Sequence, residues 1–120
     1  MEGGETSDEP IEEILDTIGD EMARRVLIAV SETPQSAKGL ADTCDMSLPT
    51  VYRRVDILMD HGLITEKTVV AEDGNHYKEY HCNFDSTLIS LGEEKFDVEI
   101  YRQENLPDRF TELWDDLGQT

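Results

Sequence analysis

The chain has 120 residues, 38% of them hydrophobic and 32% charged, which suits one small domain with a single core and is too short for two independent catalytic domains. No run approaches the roughly 20 apolar residues of a membrane span, so the sequence predicts no membrane partner. Ten Lys and Arg against 28 Asp and Glu give a net charge of −18, which excludes attraction to phosphate polymers through bulk charge.

The chain is predicted to begin with a tail and a first helix. Residues 1–8 are polar and acidic, and we expect a disordered tail there. Asp8 is a suitable N-cap for a helix with Pro10 in its first turn, and Gly19 ends or bends that helix. Its apolar side chains share the spacing of one helix face: Ile11, Ile14, Leu15 and Ile18.

The next region predicts three more helices. Asp20 can cap a helix over residues 21–31, and Thr33-Pro34 stops it. Ser36 can cap a short helix over 37–43. After a tight turn, Ser47 can cap a longer helix that reaches about His61, with Gly62 closing it in a left-handed conformation. Two helices joined by a tight turn form a helix-turn-helix.

After Gly62 the hydrophobic period changes from that of helices to that of strands. Residues 63–70 and 77–84 are rich in Val, Ile, Thr and Tyr and flank a Gly-Asn turn, which predicts a β-hairpin. A second hairpin is predicted from 87–91 and 96–101. A C-terminal helix is expected to open at Asn105 or Pro107. Its apolar face would comprise Phe110, Leu113, Trp114 and Leu117.

The order of these elements predicts an α+β fold, a winged helix-turn-helix with an extra β-hairpin and a C-terminal helix, and we expect it to be dimeric. Residues 1–8 would be the acidic tail and 9–84 the winged-helix DNA-binding domain. The second hairpin and last helix, 85–120, would be a dimerisation extension.

The charge is unevenly distributed. Residues 1–21 hold nine acids and no base, and residues 68–120 hold thirteen acids and four bases, whereas 22–67 hold six of each. A disordered acidic chain would lack the periodic apolar residues seen here. We therefore favour adaptation to high intracellular salt, where molar cations screen carboxylate repulsion to within about 3 Å.

Several segments also resemble the ArsR-like winged-helix transcription regulators, and most of all the small acidic versions found in halophilic archaea. The segments that carry the resemblance are residues 19–30, Leu40-Ala41, 47–58 and 62–64, and residues 108–114 of the tail look like the same relatives. The resemblance covers 11–84 and implies a homodimeric, DNA-binding transcription factor. The paired-cysteine metal box of the metal-sensing members is missing, so metal sensing is not implied.

The predicted recognition helix, 48–61, carries the candidate DNA contacts. With Val51, Val55 and Leu58 assigned to the core, the intervening side chains project away from it, near the end that enters the major groove. One arginine can read guanine while the other grips phosphate, and the sequence does not decide which. The candidate set is Ser47, Thr50, Tyr52, Arg53 and Arg54 from the helix and Lys67, His76 and Lys78 from the wing.

Each of these residues also has an ordinary structural explanation. An Arg-Arg pair is often a solvated face paired with acids such as Asp56 or Asp60, and Tyr52 can pack on the protein surface. Ser47 serves as a helix cap under either interpretation. The cations of the wing favour a DNA contact, and several acids near them oppose it. The sequence therefore favours a wing that contacts DNA and a wing that does not equally.

The first and last helices carry more apolar surface than a winged core needs, which predicts a homodimer on a pseudo-palindromic operator in double-stranded DNA. The expected interface comprises Ile11, Ile14, Leu15, Ile18, Phe110, Leu113, Trp114 and Leu117. Alternatively, both helices fold back onto their own domain. Bound cations are expected at the acidic surface or the DNA interface.

The sequence predicts neither an enzyme nor a cofactor or metal site. His81 and Cys82 are adjacent on a predicted strand and would point to opposite faces, which suits chelation poorly. Cys44 is expected to be a small buried thiol. No basic, apolar secretory start is present, so a cytoplasmic location is expected.

Two functions are therefore considered. The first is a sequence-specific transcription regulator that binds DNA as a homodimer in high salt. The second is a winged-helix protein-interaction module without DNA binding.

Overall fold

A computed structural model describes residues 10–105. Its helices are α1 (Ile11–Ile18), α2 (Glu21–Glu32), α3 (Ala37–Cys44) and α4 (Leu48–Asp60). Two antiparallel hairpins follow, β1 (Ile64–Val70) with β2 (His76–Cys82) and β3 (Phe84–Leu91) with β4 (Phe96–Arg102), and then a 3₁₀ turn, Gln103–Asn105. The described part of the chain is thus α+β, in the order predicted for a winged helix-turn-helix.

Three predicted helix caps are confirmed. The side chains of Asp20, Ser36 and Ser47 accept hydrogen bonds from the backbone N–H groups of Ala23, Gly39 and Thr50. Each satisfies an amide that has no partner within its helix. The short helices of this domain therefore begin where the capping residues stand in the sequence.

The start of α1 differs from the prediction. Pro10 is the N-cap, in an extended conformation, and does not lie in the first turn. The predicted cap, Asp8, lies outside the described residues, as does the predicted C-terminal helix with Phe110, Leu113, Trp114 and Leu117. Gly19 ends α1 as expected.

Tight turns separate α3 from α4 and α4 from the wing. Asp45 has a left-handed backbone (φ 57°) between the two motif helices, and Gly62 (φ 72°) follows the C-cap His61. Left-handed geometry after a helix lets the next amides bond back to its last carbonyls. Leu63 N–H accordingly donates to the Leu58 carbonyl, which turns the chain directly into β1.

The main core lies between α2, α3, α4 and the base of the wing. The side chains of Val26, Leu40, Val51, Val55, Leu58 and Leu63 are all fully buried in it. Since α4 contributes three of these side chains at i, i+4 and i+7, one of its faces is fixed against the core. The opposite face must point away from the protein.

The first hairpin ends earlier than predicted. β1 and β2 pair from Ile64 with Cys82 at the base to Val70 with His76 at the tip, whereas Phe84, predicted as part of the same arm, is the first residue of β3. Between the hairpins, Asn83 N–H donates to the Leu63 carbonyl. This bond turns the chain out of the wing, so only one residue separates the winged part from the second hairpin.

The second hairpin packs back on α1. α1 contacts both α2 and β4, and Ile14 of α1 and Val98 of β4 are 2% and 1% exposed. The base of this hairpin is therefore an integral part of the described structure. None of the helices within residues 10–105 has the length and apolarity needed to cross a membrane.

Candidate nucleic-acid interface

The N-terminal half of α4 presents its polar side chains away from the core. Ser47 is exposed, and its hydroxyl donates to Oγ1 of the half-buried Thr50 at 2.9 Å while accepting from the Thr50 N–H. Tyr52 is 49% exposed on the next turn. The first turn of α4 is thus capped by its own residues and held in a defined geometry.

Arg53 and Arg54 differ in a way that the sequence does not show. Arg54 is half-buried, and its Nε donates to Asp20 Oδ2 at 2.7 Å while Nη2 donates to Oδ1 at 3.4 Å. Arg53 is exposed and makes neither a hydrogen bond nor an ion pair with any residue in 10–105. Among the described arginines only Arg53 thus has no hydrogen bond or ion pair, and it lines the same cleft as Asp16, Asp20 and Arg54.

The ion pair with Arg54 changes the titration of Asp20. The hydrogen bond from Arg54 is the largest cause that lowers the pKa of Asp20, and the cap bond from Ala23 lowers it further against the opposing effect of burial. The same contact raises the pKa of Arg54. Asp20 thus holds the N-terminus of α2 and the middle of α4 with one carboxylate.

Asp20→Asn is expected to lower stability near neutral pH and to have little effect well below about pH 4. Asn retains a cap acceptor but removes the charge that pairs with Arg54. Because folding lowers the pKa of Asp20, the stabilisation is present above its unfolded pKa and is lost as the pH falls through the folded value. Urea unfolding of both proteins between about pH 7 and pH 3 measures the difference.

Asp16→Asn is the control for this comparison, because Asp16 lines the same cleft as Arg54 but makes no described hydrogen bond or ion pair. We expect it to match the wild type at every pH. A constant difference between Asp20→Asn and the wild type down to pH 3 would contradict the ion-pair explanation.

A groove of about 1020 Å³ separates α4 from the wing. Three tyrosines line it: Tyr52 from the helix, and Tyr77 and Tyr80 from β2. Carboxylates share it as well, from Asp56, Glu66 and Glu79. Burial and the charges of Glu66 and Asp56 raise the pKa of Tyr80, so its hydroxyl is kept protonated.

The three predicted wing residues lie on the first hairpin, and their surroundings differ. Lys78 Nζ pairs with Glu66 Oε2 at 3.3 Å across the strands. Lys67 and His76 are exposed and without an ion pair among the described residues. His76 lies in the last pair before the tip, where Glu72 and Asp73 are also exposed.

Two sets of contacts that the sequence did not predict tie the wing and the end of α4 to residues elsewhere in the chain. Gln35 and Tyr80 exchange two backbone hydrogen bonds, which ties β2 to the segment before α3. At the end of α4, Asn83 Nδ2 donates to the Gly62 carbonyl at 2.8 Å and Arg102 Nη2 to the His61 carbonyl at 2.7 Å. These donors cap the end of α4 from residues that lie far along the chain.

The predicted dimer residues are only partly within the described structure. Ile14 is buried inside the protomer, while Ile11, Leu15 and Ile18 are half-buried. The remaining four, Phe110, Leu113, Trp114 and Leu117, lie beyond residue 105.

The cysteines and histidines are dispersed. Cys44 is buried, and burial raises the pKa of its thiol, while His81 Nε2 hydrogen-bonds Glu79 Oε1 at 2.9 Å. Across residues 10–105, no three His, Cys, Asp or Glu side chains are placed to hold a metal ion together.

No curated protein matches this chain. Residues 18–67, which run from the end of α1 through α4 into β1, match the family model of a helix-turn-helix domain. Tyr52, Arg53 and Arg54 therefore lie in the part of the chain that is similar to a helix-turn-helix domain. This similarity points to a DNA-binding regulator.

Proposed function

We propose that this protein is a sequence-specific transcription regulator that binds double-stranded DNA as a homodimer in high salt. The observation that carries the proposal is the exposed, protein-unpaired Arg53 at the N-terminal half of α4, within the segment that matches a helix-turn-helix domain. In such domains the N-terminal residues of the second motif helix contact base edges in the major groove.

The two arginines take different roles in this proposal. Arg53 reads a guanine through O6 and N7, because its guanidinium is not engaged by a described carboxylate. Arg54 keeps its pair with Asp20 and orients α4, and it contributes at most a phosphate contact. Tyr52 offers its ring to the same DNA major groove. Ser47 and Thr50 lie at the start of α4, where phosphate binds favourably.

The wing is proposed to contact the flanking DNA through Lys67 and His76, which project without described partners. Lys78 shares its charge with Glu66 and so contributes less to phosphate binding. In this proposal residues 9–84 form the DNA-binding domain and 85–120 the dimerisation extension. Two such domains related by a two-fold axis would read a pseudo-palindromic operator.

We propose that the protein works in a salt-rich cytoplasm and is related to the ArsR-like regulators of halophilic organisms. The acidic surface supports both proposals. With a net charge of −18, two copies and a duplex repel one another unless cations lie between them. Asp56 lines the groove beside α4 without a described ion pair, whereas Glu66 and Glu79 there contact Lys78 and His81, so Asp56 is where such a cation would be held. Cation uptake there offsets the counterions released from DNA.

Selection of random duplexes by the purified chain in molar KCl tests the function. We expect enrichment of a sequence with two related half-sites. Absence of any enriched sequence at every KCl concentration would contradict a DNA-binding role and favour the protein-interaction alternative.

The salt dependence of binding to the selected operator should be unusually shallow. Ordinary counterion release lowers affinity with a slope of about −0.9 per phosphate contact on logarithmic axes, and we expect a smaller fall or a rise from sub-molar to molar KCl. Asp56→Asn, which removes one exposed groove carboxylate, should make the slope more negative. A steep loss of affinity for the wild-type chain would contradict cation uptake.

A further inference from the structure

The second hairpin has one wholly uncharged face. In its register Leu91 pairs with Phe96, and Ile89 pairs with Val98. Directly paired residues, and residues two apart on a strand, share a face of the sheet. These four side chains therefore lie together, and the same face continues toward the base of the hairpin with Thr87 and Ile100.

Burial changes sharply along this face. Val98 is 1% exposed and Ile100 packs against the main core, whereas Ile89 and Phe96 are 45% and 47% exposed and Leu91 is 75% exposed. The face thus begins in the interior of the protein and continues, uncovered, to the turn. Contiguous apolar surface of this kind marks an interaction site more often than isolated apolar residues do.

Charge distinguishes the two faces of the same hairpin. The opposite face carries Asp97 and Glu99, and the turn carries Glu93 and Glu94. The apolar face holds no carboxylate, in a chain with 28 of them. A surface without carboxylates is where a second molecule of charge −18 can approach at close range without direct repulsion.

We infer that this apolar face, defined by Ile89, Leu91 and Phe96, is the contact through which two copies of the chain associate. The inference rests on the homodimer of the proposed function and adds to it a surface outside the helices. A two-fold axis through the hairpin lays the same apolar side chains against one another, which needs no charged recognition group.

The exposed tip of the hairpin is large enough for part of a stable interface but not for all of it. The exposed parts of the three side chains amount to about 300 Å², whereas a stable interface needs about 800 Å² per partner. α1 contacts β4, and Ile11 and Leu15 of α1, which belong to the predicted dimer set, are half-buried. The hairpin tip is therefore proposed as one part of the contact, and the predicted dimer residues of α1 as a further part.

Adjacent residues on opposite faces provide a matched test. Leu91→Gln/Phe96→Gln and Ile89→Gln change the apolar face, and Leu88→Gln changes the opposite face at a residue that is 52% exposed. Sedimentation equilibrium of the full chain in molar KCl, without DNA, measures the dimer dissociation constant. We expect an increase of at least about 10-fold for the first two variants and less than about 3-fold for Leu88→Gln.

Thermal unfolding at two protein concentrations distinguishes a second copy from a cover supplied by the same chain. A wild-type midpoint that rises with concentration supports the inference. A wild-type monomer, or equal weakening by Leu88→Gln, overturns it. So does a wild-type midpoint that does not change with protein concentration. If the assembly fails these tests while Arg53-dependent DNA binding is retained, only this inference fails.

Discussion

Replacing Arg53 with Gln is expected to weaken binding to the selected operator by about 10- to 100-fold for each half-site, because both copies of the homodimer lose the contact. A bidentate arginine contact to guanine contributes about 1–3 kcal/mol of discrimination, and about 1.4 kcal/mol corresponds to a factor of ten. Because Arg53 is exposed and has no described protein partner, its loss should leave the free energy of unfolding unchanged. Fluorescence titration of the duplex, together with urea unfolding, measures both quantities.

Two further variants make the Arg53 result specific. Lys95→Gln removes an exposed cation from the turn of the second hairpin, and we expect it to leave DNA affinity nearly unchanged. Arg54→Gln removes the ion pair with Asp20 and should reduce stability as well as affinity. Equal losses of affinity for Arg53→Gln and Lys95→Gln would show that the arginine acts only through net charge, and would contradict base readout.

Gly62→Ala is expected to destabilise the protein by about 1–2 kcal/mol through backbone strain, and by up to about 5 kcal/mol in total with the loss of one Arg102 hydrogen bond. A residue with a Cβ in the left-handed region costs about 1–2 kcal/mol, and Gly62 has φ 72°. An added Cβ would also lie 2.8 Å from Arg102 Nε. This atom lies at the far end of a flexible side chain, so Arg102 can shift, and the shift costs at most its hydrogen bond to the His61 carbonyl, about 1.5–3 kcal/mol for a charged group. Guanidinium unfolding in molar KCl measures the loss.

Gly74→Ala separates the two causes. Gly74, in the wing turn, also has a positive φ of 88°, but nothing lies within 4 Å of a Cβ built on it. Its substitution should therefore cost only the backbone strain, about 1–2 kcal/mol. If both alanine variants lose the same stability, the crowding against Arg102 is unimportant and the cap on α4 is weaker than the distances indicate.

Local sequence signals identified the helices well, since the signals are themselves local interactions. Asp20, Ser36 and Ser47 cap the helices they precede, because a short polar side chain bonds amides two or three residues ahead whatever the rest of the chain does. The periodic apolar residues of α4 likewise identified its buried face. The family-model match over 18–67 covers the region where these signals are strongest.

Strand ends and long-range partners were harder to predict. Phe84 was assigned to the wrong hairpin, since its position depends on Asn83 bonding Leu63, a residue 20 positions earlier. No pattern in the chain indicates that Arg102 of the second hairpin and Asn83 between the hairpins cap the end of α4. Such contacts form only when elements distant in sequence pack together.

The sequence alone determined the order of the elements, the helix that presents the arginines and the neutrality of the region around it, since these follow from periodicity, capping and composition. Which arginine lacks an ion pair depends on the packing of the folded chain, because Arg54 pairs with a carboxylate 34 residues away and Arg53 does not. The packing of the folded chain also makes the base of the second hairpin buried and its tip exposed, because side-chain exposure depends on which neighbours the fold brings near.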